Sequence, residues 1–302
     1  MFFMLTFELV LSFSLLSPFL EDGFKDVQGV KLYYRIVGSG EPIVMVHGGP
    51  GSNMLHLLPY CDTLANWYKL IYYDQRGCGK SSQLKDSQTV SWKDHVEDLE
   101  AIRKSFGLEK VTLFGHSWGG GLVMLYAITY PGRVKRLIIS NSMPPYEGDW
   151  KREMAVIEDE HELRFRVKEK LQALEQSGLR RRNPSAYYRR YSEIKSWRIF
   201  SDTTDAVKTV HTIEPCPLVN YLTWESLGNY DFRGELQKLT SPVLIIHGEE
   251  DIIPLRYAQE LHKLIPRSEF VVTRKGHQPY IEDSINYFRA IRAFLNSSAN
   301  GG

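Results

Sequence analysis

The stretch VTLFGHSWGGGLVMLYAITY, residues 111–130, contains the most informative junction in this chain of 302 residues. An apolar, β-rich run precedes the pattern G-x-S-x-G around Ser117, and an apolar, helix-like segment follows it. At a strand–turn–helix junction a tight turn lifts the serine hydroxyl clear of the sheet, and the glycines at Gly115 and Gly119 let neighbouring backbone approach. The junction therefore predicts a nucleophilic serine, and the alternative is a turn without chemistry.

Other short β-rich runs alternate with longer amphipathic segments along the chain. They are PIVMVHG (42–48), KLIYYD (69–74), VKRLIISNS (134–142), PVLIIHG (242–248) and SEFVVTR (268–274). Strands that alternate with helices indicate an α/β fold with a mostly parallel sheet covered on both faces. Before them, VQGVKLYYRIVGSGEP (27–42) predicts a hairpin with a Gly-rich turn, and therefore antiparallel strands at the sheet edge.

The alternation of strands and helices is interrupted in the middle of the chain. Residues 144–230 are helical in pattern, aromatic and heavily charged. Such an interruption predicts a helical cap inserted into one core domain, which is formed by residues 25–143 and 231–302. The length of the chain is compatible with one large α/β domain that carries an insertion.

Residues 1–24 form an apolar N-terminal extension before the predicted core. The first basic residue is Lys25, and Glu8 interrupts the apolar run. A secretory signal requires a positive segment before its apolar stretch and small residues at the cleavage site, and neither is clear here. A signal peptide or membrane anchor, an extra packed helix, and an upstream start codon chosen in error remain the alternatives for this segment.

Composition and charge exclude several classes of protein. Hydrophobic residues make up 43% and charged residues 24% of the chain, as in ordinary globular proteins, and the net charge is +1. A chain without a strong global field is not expected to bind nucleic acid or to associate stably with a membrane. The three cysteines are odd in number and widely spaced, which favours a reducing, cytoplasmic location over a disulfide framework or a metal knuckle.

A nucleophilic serine requires a histidine to accept its proton and a carboxylate to orient that histidine. Asp251 follows the predicted strand PVLIIHG in the loop GEED, and His277 follows the next predicted strand in GHQPY. Both therefore lie at carboxyl ends of strands, and the order Ser117, Asp251, His277 is the one that this strand–turn–helix motif leads us to expect. We predict that these three residues form the catalytic triad.

Rival residues are available for the acid and the base. The alternative carboxylates are Glu249, Glu250 and Asp231, and the alternative histidines are His47, His116 and His247. We favour Asp251 because a loop usually needs a few residues to turn a carboxylate toward an imidazole. The first two histidines flank glycine turns and the third lies in an apolar strand, so we interpret them as structural.

The stretch HGGPG, residues 47–51, follows another predicted strand and suits an oxyanion hole. A tetrahedral intermediate needs hydrogen-bond donors that are already in place, and the backbone N–H groups of Gly49 and Trp118 are the natural pair. A simple tight turn is the alternative for these glycines. One triad and two backbone donors complete the chemistry, so no metal and no organic cofactor are implied.

In this order, HGGPG, YDQRGCGKSS (73–82), GHSWGG, GEED and GHQPY resemble the proline iminopeptidase branch of the α/β-hydrolase superfamily. The resemblance covers nearly all of residues 25–296 and is sharp outside the predicted cap. It implies an α/β-hydrolase fold with a mostly parallel eight-stranded sheet flanked by helices and an inserted helical cap. It also implies the triad and the oxyanion hole already predicted. Asp74 and Arg76 are expected to hold their loop rather than to react.

The resemblance also implies a short-peptide or other small-molecule substrate. Aminopeptidases of this family bind the substrate's free amino group with acidic side chains, for which Glu214 and Glu225 are the candidates, although exposed glutamates are the alternative. The aromatic residues Trp197, Phe200, Tyr221 and Trp224 are expected either to line an acyl pocket or to form the core of the cap.

Three functions remain open from the sequence. The leading hypothesis is a serine hydrolase that cleaves an amide or ester through an acyl-enzyme, as a proline iminopeptidase-like aminopeptidase. A carboxylesterase or lactonase acting on small apolar acyl groups is the alternative within the same chemistry. A ligand receptor with a hydrolase fold is the alternative from another class, because fold alone does not prove turnover.

Overall fold

A computed structural model describes residues 19–27, 29–84, 89–164, 166–206 and 215–297. The predicted substrate residue Glu214 and most of the predicted N-terminal extension lie outside these ranges. Among the described residues, no helix is both long enough and apolar enough to cross a bilayer.

The described chain alternates between strands and helices. The strands are β1 (Phe19–Val27), β2 (Val30–Val37), β3 (Glu41–Val46), β4 (Tyr68–Tyr73), β5 (Val111–His116), β6 (Val134–Ser140), β7 (Val243–Gly248) and β8 (Ser268–Thr273). The helices are α1 (Trp92–Ser105), α2 (Trp118–Thr129), α3 (Trp150–Arg164), α4 (Val167–Gln176), α5 (Leu179–Arg182), α6 (Pro184–Ser196), α7 (Thr203–Ala206), α8 (Pro217–Leu227), α9 (Arg233–Leu236), α10 (Leu255–Leu264), α11 (Pro279–Glu282) and α12 (Ser284–Ser297). Each strand that the apolar runs predict is present.

The eight described strands form one sheet in the order β1-β2-β4-β3-β5-β6-β7-β8. Strand β2 is antiparallel to both β1 and β4, whereas all pairs from β4 to β8 are parallel. The predicted α/β-hydrolase sheet, mostly parallel with antiparallel strands at one edge, is therefore confirmed. Because the parallel strands share one direction, their carboxyl ends meet at one edge of the sheet.

The edge hairpin differs from the prediction in its position. The turn lies between Val27 and Val30, and β1 begins at Phe19, inside the segment predicted as an extension before residue 25. The Gly-rich stretch 38–40 leads instead into β3, which is separated from β2 by β4. The polar residues of β1 mask the alternating pattern of a strand in the sequence. Residues 19–27 form a strand because they pair with β2.

Alternate residues of the central strands enter two different cores. In β3, Val44 and Val46 pack on one face of the sheet, and Ile43 and Met45 pack on the other. Helices α1, α2 and α10 contribute buried residues to the first core, and α12 contributes to the second. Since side chains of a strand alternate between its faces, burial on both sides explains why these strands read as continuous apolar runs.

Within the described residues, α3 to α8 lie between β6 and β7, where the cap is predicted. The two ends of this segment meet at the core, because Tyr146 forms a β-bridge with Asp231 and Trp150 Nε1 donates to Tyr230 Oη at 2.9 Å. Trp197 and Phe200 are buried in a separate apolar cluster of these helices. This arrangement is what an insertion with its own core requires, although the predicted division at residues 144–230 stays a prediction.

The close approach of α2 to β3 generates a stability prediction. A Cβ at Gly119 would lie 2.3 Å from Val46 O, whereas nothing lies within 4 Å of one at Gly132. We expect Gly119→Ala to lower the free energy of unfolding by about 1–3 kcal/mol through overpacking. Gly132→Ala should change it by less than about 0.5 kcal/mol. Urea unfolding of both variants measures the difference, and equal stabilities would contradict this packing.

Candidate active site

The turn at Ser117 presents its side chain at the carboxyl edge of the sheet. Strand β5 ends at His116, helix α2 begins at Trp118, and Ser117 between them has φ 58° and ψ −122°. Positive φ is uncommon for a residue with a side chain and is tolerated where the surroundings enforce it. Ser117 is partly exposed although its neighbours on both sides are buried. The local backbone is therefore that of a nucleophile elbow.

The structure brings the three predicted triad residues together. His277 Nε2 lies 3.1 Å from Ser117 Oγ, and His277 Nδ1 lies 2.8 Å from Asp251 Oδ1. Asp251 follows β7 and His277 follows β8. Both therefore reach the carboxyl edge of the sheet, where Ser117 follows β5. With Nδ1–H donated to the carboxylate, Nε2 is free to accept the serine proton.

The carboxylate of Asp251 is buried and fully surrounded by donors. Asn141 Nδ2 donates to Oδ2 at 2.6 Å, and the Ile253 N–H donates to Oδ1 at 2.9 Å. Burial acts to raise the pKa of Asp251, but the charges of His277 and His247 and the hydrogen bonds lower it below its ordinary value. Asp251 is therefore ionised at neutral pH and can stabilise a protonated imidazole.

The pKa of His277 is shifted in the opposite direction. Burial acts to lower this pKa, but the charge of Asp251 and its hydrogen bond raise it above the ordinary value. The charges of Glu282 and Glu158 act in the same direction. A general base must be neutral, so base catalysis by His277 is lost as the pH falls through this raised pKa.

The predicted oxyanion donors lie beside the nucleophile. Trp118 is the first residue of α2, so its N–H has no acceptor within the helix. A Cβ at Gly48 would lie 3.0 Å from Ser117 Cβ, so the HGGPG loop packs against the elbow. Gly49 has φ 126°, which residues with a side chain rarely adopt. This geometry is compatible with both donors, Gly49 and Trp118, whose role stays a prediction.

Gln75 links the HGGPG loop to the residue that follows the nucleophile. Its N–H donates to His47 Nε2 at 3.1 Å, and its Oε1 accepts from Trp118 Nε1 at 3.0 Å. His47 Nδ1 donates in turn to Gly48 O at 2.8 Å. Burial lowers the pKa of His47 to about 4, so its ring is neutral and supplies the one donor and one acceptor that these bonds need.

Asp74 and Arg76 anchor their own loop, residues 73–82, to neighbouring segments. The carboxylate of Asp74 accepts the N–H groups of Met54 and Lys80, both at 2.8 Å. Arg76 forms a two-point ion pair with Asp98, at 2.7 and 2.6 Å. Neither side chain contacts the triad among the contacts described here, since Asp74 accepts backbone N–H groups and Arg76 pairs with a carboxylate of α1.

The rival carboxylates take other positions. Glu249 and Glu250 are exposed, although they precede Asp251 in the same loop. Asp231 pairs with Arg233 at the surface, at 2.5 Å. Among the described residues, no cluster of three or more His, Cys, Asp or Glu side chains is arranged to hold a metal ion.

The rival histidines are buried and hold backbone groups of the site. His116 Nε2 donates to the carbonyl of His277 at 2.7 Å, and His247 Nε2 donates to Ile253 O at 2.7 Å. Burial lowers the pKa of His116 well below its ordinary value, so this ring is neutral. Both rings therefore support the loops that carry the triad.

The predicted substrate residues are not brought together. Trp224 packs edge-to-face on the buried side chain of Trp118, the residue after the nucleophile, with 5.5 Å between ring centroids. Tyr221 is 60% exposed and Glu225 is exposed, both on α8. Glu214 lies outside the described residues. Of the four, only Trp224 contacts the elbow in the part of the chain that the structure describes, and the roles of all four stay predictions.

Sequence reasoning missed Asn141 and Gln75. Asn141 follows β6 with φ 47°, and its Nδ2 bridges Asp251 and Gly276 O. A polar residue directly after a parallel strand is a signal for this position, since Asp251 and His277 were found in the same way. Gln75 lies inside the stretch YDQRGCGKSS, between Asp74 and Arg76, whose charges are the stronger local signal.

Comparison with known proteins agrees with this fold. A family model described as alpha/beta hydrolase fold matches residues 41–284. The chain therefore belongs to the α/β-hydrolase fold family, whose members share this sheet and this elbow. Over 292 residues it is 31% identical to the proline iminopeptidase of Heyndrickxia coagulans, with 91% of this chain and 99% of that protein covered. This chain is thus a member of the proline iminopeptidase-like branch of that family.

Other relatives extend this comparison. The chain is 29% identical to the proline iminopeptidase of Saccharolobus solfataricus, with 92% of this chain and 93% of that protein covered. Among solved structures, proline iminopeptidase from Mycobacterium smegmatis aligns with a TM-score of 0.68 at 21% identity, covering 92% and 98% of the two chains. An enol-lactonase from Burkholderia xenovorans aligns with a TM-score of 0.63 at 19% identity, covering 91% and 100%. At these identities the structures show the fold alone.

The charge of Asp251 generates a prediction for the pH dependence of hydrolysis. Asp251→Asn keeps the size of the side chain but removes the charge that raises the pKa of His277. We expect kcat to fall about 10⁴-fold and the acid limb of kcat/KM to move to lower pH. Glu250→Gln is the matched control on the same loop and should change neither. If the acid limb does not move, the charge of Asp251 is not what raises the pKa of His277.

Proposed function

We propose that this protein is a serine hydrolase that cleaves amides or esters through an acyl-enzyme on Ser117. The proposal rests on one observation, the continuous chain of hydrogen bonds from Ser117 Oγ through His277 to Asp251, at 3.1 and 2.8 Å. A serine at a strained turn with a base and an orienting carboxylate in line is the arrangement that activates a hydroxyl.

The reaction proceeds in two proton-coupled halves. Ser117 Oγ attacks the substrate carbonyl while its proton passes to His277 Nε2, and the N–H groups of Gly49 and Trp118 receive the developing oxyanion. His277 then gives this proton to the leaving group, whose bond to the acyl carbon breaks. A water molecule attacks the acyl-enzyme in the same way, and Ser117 recovers the proton as the acid is released. Asp251 stays ionised throughout.

The substrate class that we propose is a short peptide with an N-terminal proline. Support comes from the proline iminopeptidases that this chain resembles over their whole length. A free imino group is positively charged at neutral pH and needs a carboxylate nearby. In α3, Glu158 is partly buried, its charge acts on His277, and its Oε1 lies 3.4 Å from Arg198 Nε. Glu158 therefore joins the predicted Glu214 and Glu225 as a candidate for this contact.

An esterase acting on small apolar acyl groups is the second candidate function. The observation that favours it is the aromatic cluster around Trp118, the residue after the nucleophile, in which Trp224 packs on both Trp118 and Trp150 with centroids 5.5 and 5.9 Å apart. Such a wall suits an apolar acyl group without requiring a charged neighbour.

The first test compares L-proline p-nitroanilide with p-nitrophenyl acetate and butyrate. Ser117→Ala should lower turnover of each accepted substrate by about 10⁴-fold or more, because the nucleophile is gone. Ser105→Ala, an exposed serine on α1, is the matched control and should behave as wild type. Turnover of the anilide supports the aminopeptidase, and turnover of the esters alone supports the esterase. Full activity in Ser117→Ala would contradict the triad, and no turnover at all would favour a ligand receptor.

The role of Glu158 gives a sharper test of the peptidase. We expect Glu158→Gln to lower kcat/KM for L-proline p-nitroanilide about tenfold or more, since a charged hydrogen bond to the substrate is lost. Hydrolysis of p-nitrophenyl butyrate, which has no ammonium, should be little affected. Glu160→Gln, exposed on the same helix, is the control. If the anilide is hydrolysed equally well by both variants, the imino group is bound by another carboxylate.

A further inference from the structure

A second, partly buried carboxylate lies next to the loop of His277. Glu282, the last residue of α11, accepts four hydrogen bonds. Ser201 donates its N–H and its hydroxyl to Oε1 at 2.8 and 3.0 Å, the Gly276 N–H donates to Oε1 at 3.3 Å, and the Gln278 N–H donates to Oε2 at 3.2 Å. Glu282 is not a member of the triad, so its partial burial among these four donors requires another explanation.

The donors to Glu282 come from two different parts of the chain. Gly276 and Gln278 flank His277 in the loop after β8, whereas Ser201 lies between α6 and α7, in the segment between β6 and β7. A Cβ at Gly276 would lie 3.0 Å from Ser201 N and 3.1 Å from Glu282 Oε2. The loop and the cap segment are therefore in direct contact around this one carboxylate.

Two further contacts join the same parts of the chain. The N–H of His277 itself donates to Ile199 O at 3.2 Å. Lys275 Nζ lies 3.7 Å from Asp205 Oδ2 and 4.0 Å from Asp202 Oδ2. The N–H of the catalytic histidine and the side chain of Lys275 are thus held by residues 199–205.

We propose that Glu282 is a positioning residue that ties the cap at Ser201 to the loop of His277, so that the cap helps to set the geometry of the general base. The inference rests on the proposed function, in which His277 accepts the proton of Ser117. Glu282 acts through the backbone of Gly276 and Gln278 and contacts no reacting atom.

The charge of Glu282 gives this role a signature that packing alone would not have. Burial raises the pKa of Glu282, while its hydrogen bonds act to lower it. As an anion it stabilises the protonated form of His277, in the same direction as Asp251 and Glu158. His116 and His56 also face His277, but burial keeps both rings neutral. Tyr280 also lies near Glu282, and its buried hydroxyl is not ionised.

The principal test is Glu282→Gln, assayed as kcat and KM across the acid and neutral pH range. Removal of the charge destabilises the protonated imidazole, so the acid limb should move to lower pH by roughly half a unit. Loss of a well-placed acceptor for the loop N–H groups should lower kcat about tenfold, with KM little changed. Glu269→Gln, exposed on β8, is the matched control and should match wild type.

A second pair of variants tests the tie to the cap. Ser201→Ala removes one of the four donors to Glu282, and we expect kcat to fall roughly threefold. Ser196→Ala makes the same change on α6, where the hydroxyl bonds only to Glu193 O among the contacts described, and should leave kcat unchanged. If circular dichroism shows that Glu282→Gln does not fold, these two serine variants test the positioning role of Glu282 instead.

The outcomes separate this inference from the proposed function. Ser117→Ala is included in every series, and full activity in that variant would contradict the triad and not only this role of Glu282. With Ser117→Ala inactive, an acid limb in Glu282→Gln that coincides with that of wild type would overturn the inference. Equal kcat values in Ser201→Ala and Ser196→Ala would overturn the coupling to the cap.

Discussion

The hydrogen bond between Asp251 and His277 Nδ1 is the interaction on which the rest of the site depends. At 2.8 Å it fixes the tautomer, so that Nε2 faces Ser117 without a proton. A buried carboxylate is costly unless donors compensate it, and here Asn141 and the Ile253 N–H do so. These donors follow neighbouring parallel strands, which explains why the chemistry needs this sheet and why it lies at the carboxyl edge.

A second constraint is the backbone at Ser117, which passes from strand to helix within one residue. Its positive-φ conformation lies in closely packed surroundings, since a Cβ at Gly115 would lie 2.2 Å from Gly119 O and one at Gly119 would lie 2.3 Å from Val46 O. The elbow is therefore rigid before any substrate binds. A fixed nucleophile and fixed N–H donors need little reorganisation during the reaction, which is the main contribution that a protein makes to such catalysis.

The sequence predicts the sheet and the triad well because both leave local signals. Parallel strands buried on both faces read as apolar runs, and the triad residues follow directly after such runs. Strand β1 is less visible because FLEDGFKDV mixes polar and apolar residues and is a strand only beside β2. The bridging role of Asn141 depends on a contact across 110 positions, and that of Glu282 on one across 81 positions. No local pattern encodes such contacts.

The substrate residues were the least predictable part for a related physical reason. Helix α8 presents Thr223 to the interior, where its hydroxyl contacts His95 at 3.0 Å, while Tyr221 on the same helix is exposed. Which face of a cap helix lies over the nucleophile is set by such long-range contacts and not by the composition of the helix. Among the described residues of the cap, the hydrogen bonds and ion pairs to the His277 loop and to Glu282 come from residues 199–205, so other faces of the cap can change without moving the general base. A cap built in this way can vary on α8, where Trp224 contacts Trp118, while the catalytic geometry is preserved.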